Sequence, residues 1–531
     1  MDRRRTLLMH AWLQLVLWVA IALVANHLSS SLFFRADVTR DQRYTLSEVS
    51  RQTVASLDKP LVVRVFYSKD LGPPYNNHRQ DLLDKLEELA AVSSGRIQIE
   101  VADPDTDKDD AEEARRYGIR PIPYRFKQGS RFEAREIYMG VSLLYGERAL
   151  PVDLLTATET FEYQLVKGLR ALTRPPEERK VVGYSTGHGE IDLMGFPEES
   201  PVGQLVIDVA TTHQLKAVEL GGEDDPLADI DVLLVNGPEI PLSPRAQYQI
   251  DQFLMAGKPV AFFMRGIRPD FRSMRVQVVR HDLYALLGHY GLQLNRDVIL
   301  DRDHNEQFEV PIMREGRMRR VQVDYPLIPV TTDLNKAHPV TAGIDAAVLP
   351  FVSSITVPEE LPRGVTADVL IRSMPESAKL EGLIYVSPEV FDNKAPGEEP
   401  GAWPAVVALS GRFGSFYAEK PIPAPQGRSP DDPTWDPDPA SKIVDSAPTR
   451  LLLAGSADML ANNPTLVANA IDWLAEDTDL LQIRTELAQD ATFEAPDGST
   501  LQLTRAGLIG GPLVVLYGVG LVVFVVGRRR R

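Results

Sequence analysis

The sequence predicts an α/β protein: an exported region held between two membrane-spanning helices. Three observations predict it. Between about 36 and 305, β-rich apolar runs alternate with amphipathic helical runs, the order that a sheet covered by helices requires. Near each end of the chain stands an apolar segment long enough to cross a hydrocarbon core of roughly 30 Å. With 44% hydrophobic and 25% charged residues over 531 positions, the chain is ordinarily globular and too long for one core, so several domains follow.

The formal net charge of −17 argues against a nucleic-acid partner, because neutralising phosphates needs a basic face. No cysteine is present. Disulfides, thiolate metal sites and a cysteine nucleophile are therefore excluded.

The first apolar segment, LLMHAWLQLVLWVAIALVA at 7–25, follows MDRRR and is interrupted only by His10 and Gln14. It is longer than the apolar part of a signal peptide and has no A-x-A at its end, so it reads as an uncleaved anchor within residues 1–30. The second, LIGGPLVVLYGVGLVVFVVG at 508–527, carries no charge and is followed by four arginines, giving an anchor over 506–531. Arginines lie outside both spans, and the positive-inside rule then makes both termini cytoplasmic. The expected topology is a two-pass bacterial inner-membrane protein with a large periplasmic region.

The first block, 36–175, opens with YTLSEVSRQTVASLDKP, a helix capped at Ser47 and stopped by Pro60. LVVRVFYS is a strand, and the next helix places Leu82, Leu83, Leu86 and Leu89 on one face. RIQIEVAD is a strand, DDAEEARRYG a helix, IRPIPYRF a strand, and MGVSLLYGERALPVDL a hairpin about a Gly-Glu turn. This order, with Ile122-Pro123 just before a strand, resembles a thioredoxin-like domain. The loop expected to hold C-x-x-C reads SKDLGPPY, so the resemblance implies a scaffold or binding module without redox chemistry. Within the block, DPDTDKDD at 103–110 lacks the glycine and the glutamate of an EF-hand loop and reads instead as a strand end whose aspartates cap the next helix.

In the second block, 178–305, KVVGYSTG, LKAVEL, DVLLVN, PVAFFM and DVILD read as strands and VGQLVIDVATTH, SPRAQYQIDQFLMAG and HDLYALLGHYG as helices. DVLLV and VAFF are apolar on both sides, as strands between two helical layers must be. The pattern predicts a flavodoxin-like parallel sheet. Ligands on such sheets sit at the carboxyl ends of the strands, which gives a candidate rim for a ligand or partner: Ser185, His188, Glu190, Asn236, Glu239 and Arg265.

The third block, 306–500, is a mixed α/β region. Its Pro- and Asp-rich stretch 421–448 reads as a mobile surface insertion, followed by the strand RLLLAG, the helix NPTLVANAIDWLAED and a last strand LLQIRTE.

GYSTGHGE at 183–190 fits G-x-S-x-G. A nucleophile elbow needs a helix directly after the serine, and here three glycines and two prolines precede the next helical run near Gln204. His188 stands only three residues from Ser185, whereas elbow-type triads draw their histidine from far downstream, where His213, His281, His289 and His304 could serve in principle. A membrane-anchored serine hydrolase using Ser185 is therefore the alternative reading rather than the first. No P-loop or complete dinucleotide motif occurs, and no cofactor, metal site or catalytic residue is assigned.

YTLSEVSRQTVASLDKPLVVRVFYS, VVGYSTGHGE, ADIDVLLVNGPEIPLSPRAQYQIDQFLMAGKPVAFFM, PAVVALSGRFGSFY, RLLLAGSADML and NAIDWLAEDTDLLQIR together resemble the GldG family of auxiliary ABC-transport components. The resemblance implies a non-catalytic subunit beside a separate ABC ATPase and a multi-span permease, with a periplasmic or cell-envelope ligand. It also relates the GHGE-bearing domain to one in an intraflagellar-transport protein and, distantly, to class I amidotransferases, whose cysteine nucleophile this chain lacks. A receptor for a cell-envelope ligand or partner is a further alternative.

Overall fold

In the computed structural model, Ser47 caps the first described helix, its hydroxyl accepting from the Ser50 N–H at 3.2 Å, and α1 (Glu48–Ala55) follows. The structure describes residues 46–475, save 70, 73–74, 129–130, 153–160, 175, 199, 315–316, 342–343, 388–399, 430–434 and 436. Both expected anchors, 7–25 and 508–527, and the last expected strand lie outside the described residues. Among those described, no helix is long and apolar enough to cross a membrane.

Alternating Leu61, Val63 and Val65 bury one face of β1 (Leu61–Tyr67), and α2 (His78–Val92) covers it with Leu82, Leu86 and Leu89. β2 (Ile97–Ala102) pairs parallel to β1. α3 (Lys108–Arg116) begins at Asp107, which accepts from the Asp109 N–H at 2.9 Å, so this acidic run does cap a helix. β3 (Ile122–Gln128) and β4 (Arg131–Ile137) form a separate hairpin. β5 (Met139–Tyr145) and β6 (Arg148–Val152) then complete a four-stranded sheet of order β2-β1-β5-β6, on which α4 (Phe161–Thr173) packs. Pro123 does not precede a core strand, as the sequence suggested. It lies inside β3 opposite Glu136, where a two-stranded ribbon consists only of edges and a missing N–H is tolerated.

The second lobe is built on β7 (Val181–Thr186), α5 (Pro201–Thr212), β8 (Gln214–Glu219), β9 (Val232–Asn236), α6 (Pro244–Met255) and β10 (Val260–Phe263). α5 and α6 start the same way: Ser200 and Ser243 accept from the N–H groups of Gly203 and Ala246 at 3.0 and 3.2 Å, each with proline next in the chain. β9 and β10 are buried along their whole length, each such Val, Leu or Phe adding about 1.5–3 kcal/mol relative to exposure.

β10 is followed by the ribbon β11 (Ile267–Asp270) and β12 (Arg275–Val278), the short helix α7 (Tyr284–His289), β13 (Gln293–Leu294) and β14 (Asp297–Leu300). β15 (Asn305–Arg314) and β16 (Arg317–Thr331) make a long hairpin, which β17 (Ala347–Val348) joins; β18 (Ile355–Thr356) pairs with β13. β19 (Val365–Arg372), β20 (Ala378–Glu381), β21 (Pro404–Gly411), β22 (Thr449–Ala454), α8 (Met459–Asn462) and α9 (Pro464–Leu474) end the described chain.

The large sheet runs β19-β21-β22-β10-β9-β7-β8. β8, β7, β9, β10 and β22 are mutually parallel; β21 pairs antiparallel with β22, and β19 pairs antiparallel with β21. The sheet is therefore mixed, and strands from both sides of residue 305 hydrogen-bond within it. The expected fifth strand DVILD is β14, which pairs with β20 outside this sheet, while β22 takes the place beside β10. One face is covered by α5, α8 and α9 through Leu205, Val209, Leu466 and Ile471, and the other by α6 and α7 through Ile250, Leu254 and Leu286. The stretch 421–448, expected to be mobile, is pinned where it is described. Lys442 Nζ donates to the carbonyls of Tyr417, Ala418 and Lys420 at 2.8, 2.9 and 2.9 Å, and Ile443 N–H donates to Gln252 at 2.7 Å.

Candidate functional site

The four central parallel strands end side by side, and the residues just past their carboxyl ends form the site. Past β7, Gly187 and Gly189 hold φ of +96° and +77°, conformations that a Cβ disfavours, and the loop turns sharply instead of entering a helix. The turn brings the His188 carbonyl back over β9, where it accepts from the N–H groups of Glu239 and Ile240, both at 2.9 Å. Its imidazole is buried, with Nδ1 3.5 Å from Glu190 Oε1. That is the length of an ion pair, beyond a good hydrogen bond. Glu190 Oε2 accepts the backbone N–H of His188 at 2.5 Å.

The Glu190 carboxylate raises the His188 pKa above its ordinary 6.5, against the opposing effect of burial. Burial pushes the Glu190 carboxyl upward, but its bonds to His188 and to backbone N–H groups hold it below its ordinary 4.5. Both shifts favour the charged pair.

Ser185 is fully buried in β7. Its hydroxyl donates to Asn236 Oδ1 at 3.1 Å and accepts from the Asn236 N–H at 3.4 Å. Asn236 in turn donates Nδ2 to the Ile191 carbonyl at 2.5 Å and accepts the Ile191 N–H at 3.2 Å. The serine thus clamps two strand ends together. The downstream histidines named from the sequence are engaged elsewhere: His281 Nδ1 accepts from Leu283 N–H, His289 meets the Gly414 carbonyl, and His304 lies 3.5 Å from Asp301. His213 is buried beside Thr212 and Asp472.

Arg265, just past β10 and only 14% exposed, reaches both neighbours. Its guanidinium meets Glu239 at 2.8 Å and Asp458, past β22, at 2.6 Å, and Glu239 also binds Arg268 at 2.8 Å. Gly237 keeps this junction tight: at φ +78°, its missing Cβ would fall 2.5 Å from that of Ala457.

All six rim residues named from the sequence therefore meet in one layer. Sequence reasoning does not find Asp458 and Arg268. Asp458 obeys the same strand-end rule in LLLAGSAD, but nothing in a single sequence places that strand next to PVAFFM. The described chain begins and ends on the other side of the sheet. Ser47 N–H donates to Glu162 at 2.8 Å, the next residue Tyr163 donates to Asp472 at 3.2 Å, and Arg450, at the start of β22, donates to the Trp473 carbonyl at 2.5 Å. Both ends thus converge near the start of α4 and the amino end of β22.

A family profile described as an ABC-type uncharacterized transport system matches residues 179–475, more than half of the chain, and a profile for a domain of unknown function matches 40–143. A protein of Borreliella burgdorferi, named only as uncharacterized, is 20% identical over 400 residues, covering 74% of this chain and 75% of its own. Among solved structures, the mmIFT52 N-terminal domain is similar over 56% of this chain and 98% of its own, at 13% identity and a TM-score of 0.33. A ThuA-like protein from Bacteroides uniformis is similar over 56% and 91%, at 12% identity and a TM-score of 0.25.

Proposed function

Because the chain belongs to the auxiliary-protein family of an ABC-type uncharacterized transport system, we propose that it is a non-catalytic, membrane-anchored subunit working beside an ABC ATPase and a multi-span permease. In this reading the spans at 7–25 and 508–527 tether it to the bacterial inner membrane, with both termini cytoplasmic and the described lobes in the periplasm. The first lobe is a thioredoxin-like scaffold without its cysteines. The second is a flavodoxin-like sheet that presents the strand-end rim to a substrate or envelope partner. Two tethers hold that rim at high effective concentration beside the transporter, which a freely diffusing binding protein would lack.

The observation that carries this reading is the placement of the two ends. Ser47 and Trp473, near the two ends of the described residues, converge on the side of the sheet opposite the rim, which is compatible with both tethers leaving from that side. The hydrolase alternative is weakened by Ser185, whose buried hydroxyl is occupied by Asn236. The test is ATP hydrolysis by the reconstituted ATPase and permease, with and without this chain. An auxiliary subunit alters the rate or its response to substrate; an identical rate under every condition argues against the reading.

A further inference from the structure

The two edges of the large sheet are finished differently. Along β19 the outer edge is covered by residues 333–335: Asn335 N–H donates to the Leu370 carbonyl at 2.9 Å, and Arg372 N–H to that of Asp333 at 3.0 Å. The opposite edge is β8, which pairs only with β7, in an unbroken parallel register from Val181↔Gln214 to Thr186↔Glu219. Gln214 N–H donates to the Lys180 carbonyl at 2.9 Å, so residues 214, 216 and 218 turn their backbone groups towards β7. The alternate residues, Leu215, Ala217 and Glu219, turn theirs outward. Among the described residues, nothing pairs with these outward N–H and C=O groups.

Exposed edges are ordinarily blunted by a proline, a bulge or a free lysine. β6, an edge of the smaller sheet, carries Pro151. β8 has no proline, no glycine and no bulge. Its one lysine, Lys216, is drawn 3.6 Å from Asp229, so its charge is turned back onto its own chain. Val218 fixes the strand from one face of the sheet and Leu215 from the other, while Ala217 and Glu219 are exposed. Glu219 stands where β8 meets the rim: a Cβ on Gly187 would lie 3.3 Å from its Cγ. Among the described residues, its carboxylate has no ion-pair partner, and Asp224 and Asp225 follow in the chain.

We propose that β8 receives an extended segment of a partner protein as an eighth strand, with apolar side chains at alternate positions and a lysine or arginine beside Glu219. A row of donors and acceptors at strand spacing is matched by another extended backbone, which selects a polypeptide over a lipid surface or a small ion. The unpaired carboxylate selects a basic residue. Self-pairing with a second copy supplies none: antiparallel pairing about Ala217 sets Glu219 against Leu215, pairing about Val218 sets it against Ala217, and pairing about Lys216 brings two lysines together. Since β8 ends at the rim, the added strand carries the partner to the rim. No part of this uses the tethers, so the assay below and the tethered reading can fail separately.

The test uses the full chain in detergent and a fluorescent heptapeptide that alternates valine with threonine and ends in lysine. Two further copies carry N-methyl groups on alternate amides, one in each phase. Strand addition turns one phase towards β8 and the other to solvent. One methylated copy should therefore bind like the parent, and the other about tenfold or more weakly. Affinity for the parent should fall about as far in Ala217→Pro, whose ring removes an outward N–H that the β7 ladder does not use. Glu219→Lys should weaken it too. The methylated peptides read the unaltered protein, so the outcome does not depend on how either variant folds. Absence of parent binding, equal affinity of all three peptides, or unaltered affinity in Ala217→Pro overturns the proposal. A dimer in detergent that Ala217→Pro dissociates overturns it in favour of a second copy.

Discussion

Arg265 and Asp458 stand 193 positions apart in the chain and 2.6 Å apart in space, closing the loops after β10 and β22 onto one another. With Glu239 on its other side, Arg265 joins three strand ends in one ion-paired junction. The half-buried setting gives these pairs more weight than surface ion pairs carry.

Replacing Asp458 with Ala should therefore leave Arg265 with one carboxylate partner fewer and lower stability by about 1–2 kcal/mol. Thermal melting checks this. A melting temperature equal to the wild type would mean that Glu239 alone satisfies the guanidinium.

Asn236→Ala removes partners from two groups at once, the Ser185 hydroxyl and the Ile191 carbonyl. The expected loss is about 2–3 kcal/mol, because buried polar groups are left unpaired. Ser185→Ala removes only one end of the clamp and should cost less, about 1 kcal/mol. Denaturant titration of both variants gives the order. Transport-linked function should survive Ser185→Ala; its abolition in a variant that folds normally would revive the nucleophile.

The His188–Glu190 pair makes stability depend on pH with a definite sign. His188 is raised, so its contribution is complete below 6.5 and is lost as pH rises through the folded value. Glu190 is lowered, so its contribution is complete above 4.5 and is lost as pH falls through the folded value. The melting-temperature difference between wild type and His188→Gln should be greatest in the mildly acidic window between these values and shrink towards alkaline pH. A difference that stays flat across the range would contradict the pairing.

Gly237→Ala should be among the most damaging single substitutions at the rim. It places a Cβ at φ +78° and 2.5 Å from that of Ala457, and overpacking alone costs about 1–3 kcal/mol. Gly222→Ala, which meets nothing within 4 Å, serves as the control.

Much of this architecture is legible in the sequence because local signals agree with the fold. Ser200-Pro201 and Ser243-Pro244 announce helix starts, and DVLLV and VAFF announce buried strands. The strand-end rule alone then brings Ser185, His188, Asn236, Glu239 and Arg265 together. The resemblance to the GldG family rests on the same stretches, and the family match over 179–475 bears it out. What is not legible is long-range pairing. β10 could equally have been followed by DVILD, whose apolar pattern suits the sheet. Instead β22 enters from nearly two hundred residues later, and with it Asp458. The burial of Ser185 is hidden for a related reason: G-x-S-x-G describes a turn, while burial depends on Asn236, fifty-one positions on.

The most direct test of the central claim is affinity purification of the full chain from its native membrane, followed by identification of what remains bound after a mild detergent wash. The account predicts that an ABC ATPase and a multi-span permease co-elute with the chain in fixed proportion. Recovery of the intact, folded chain with neither of them, under conditions that preserve a known ABC complex from the same membrane, would contradict it.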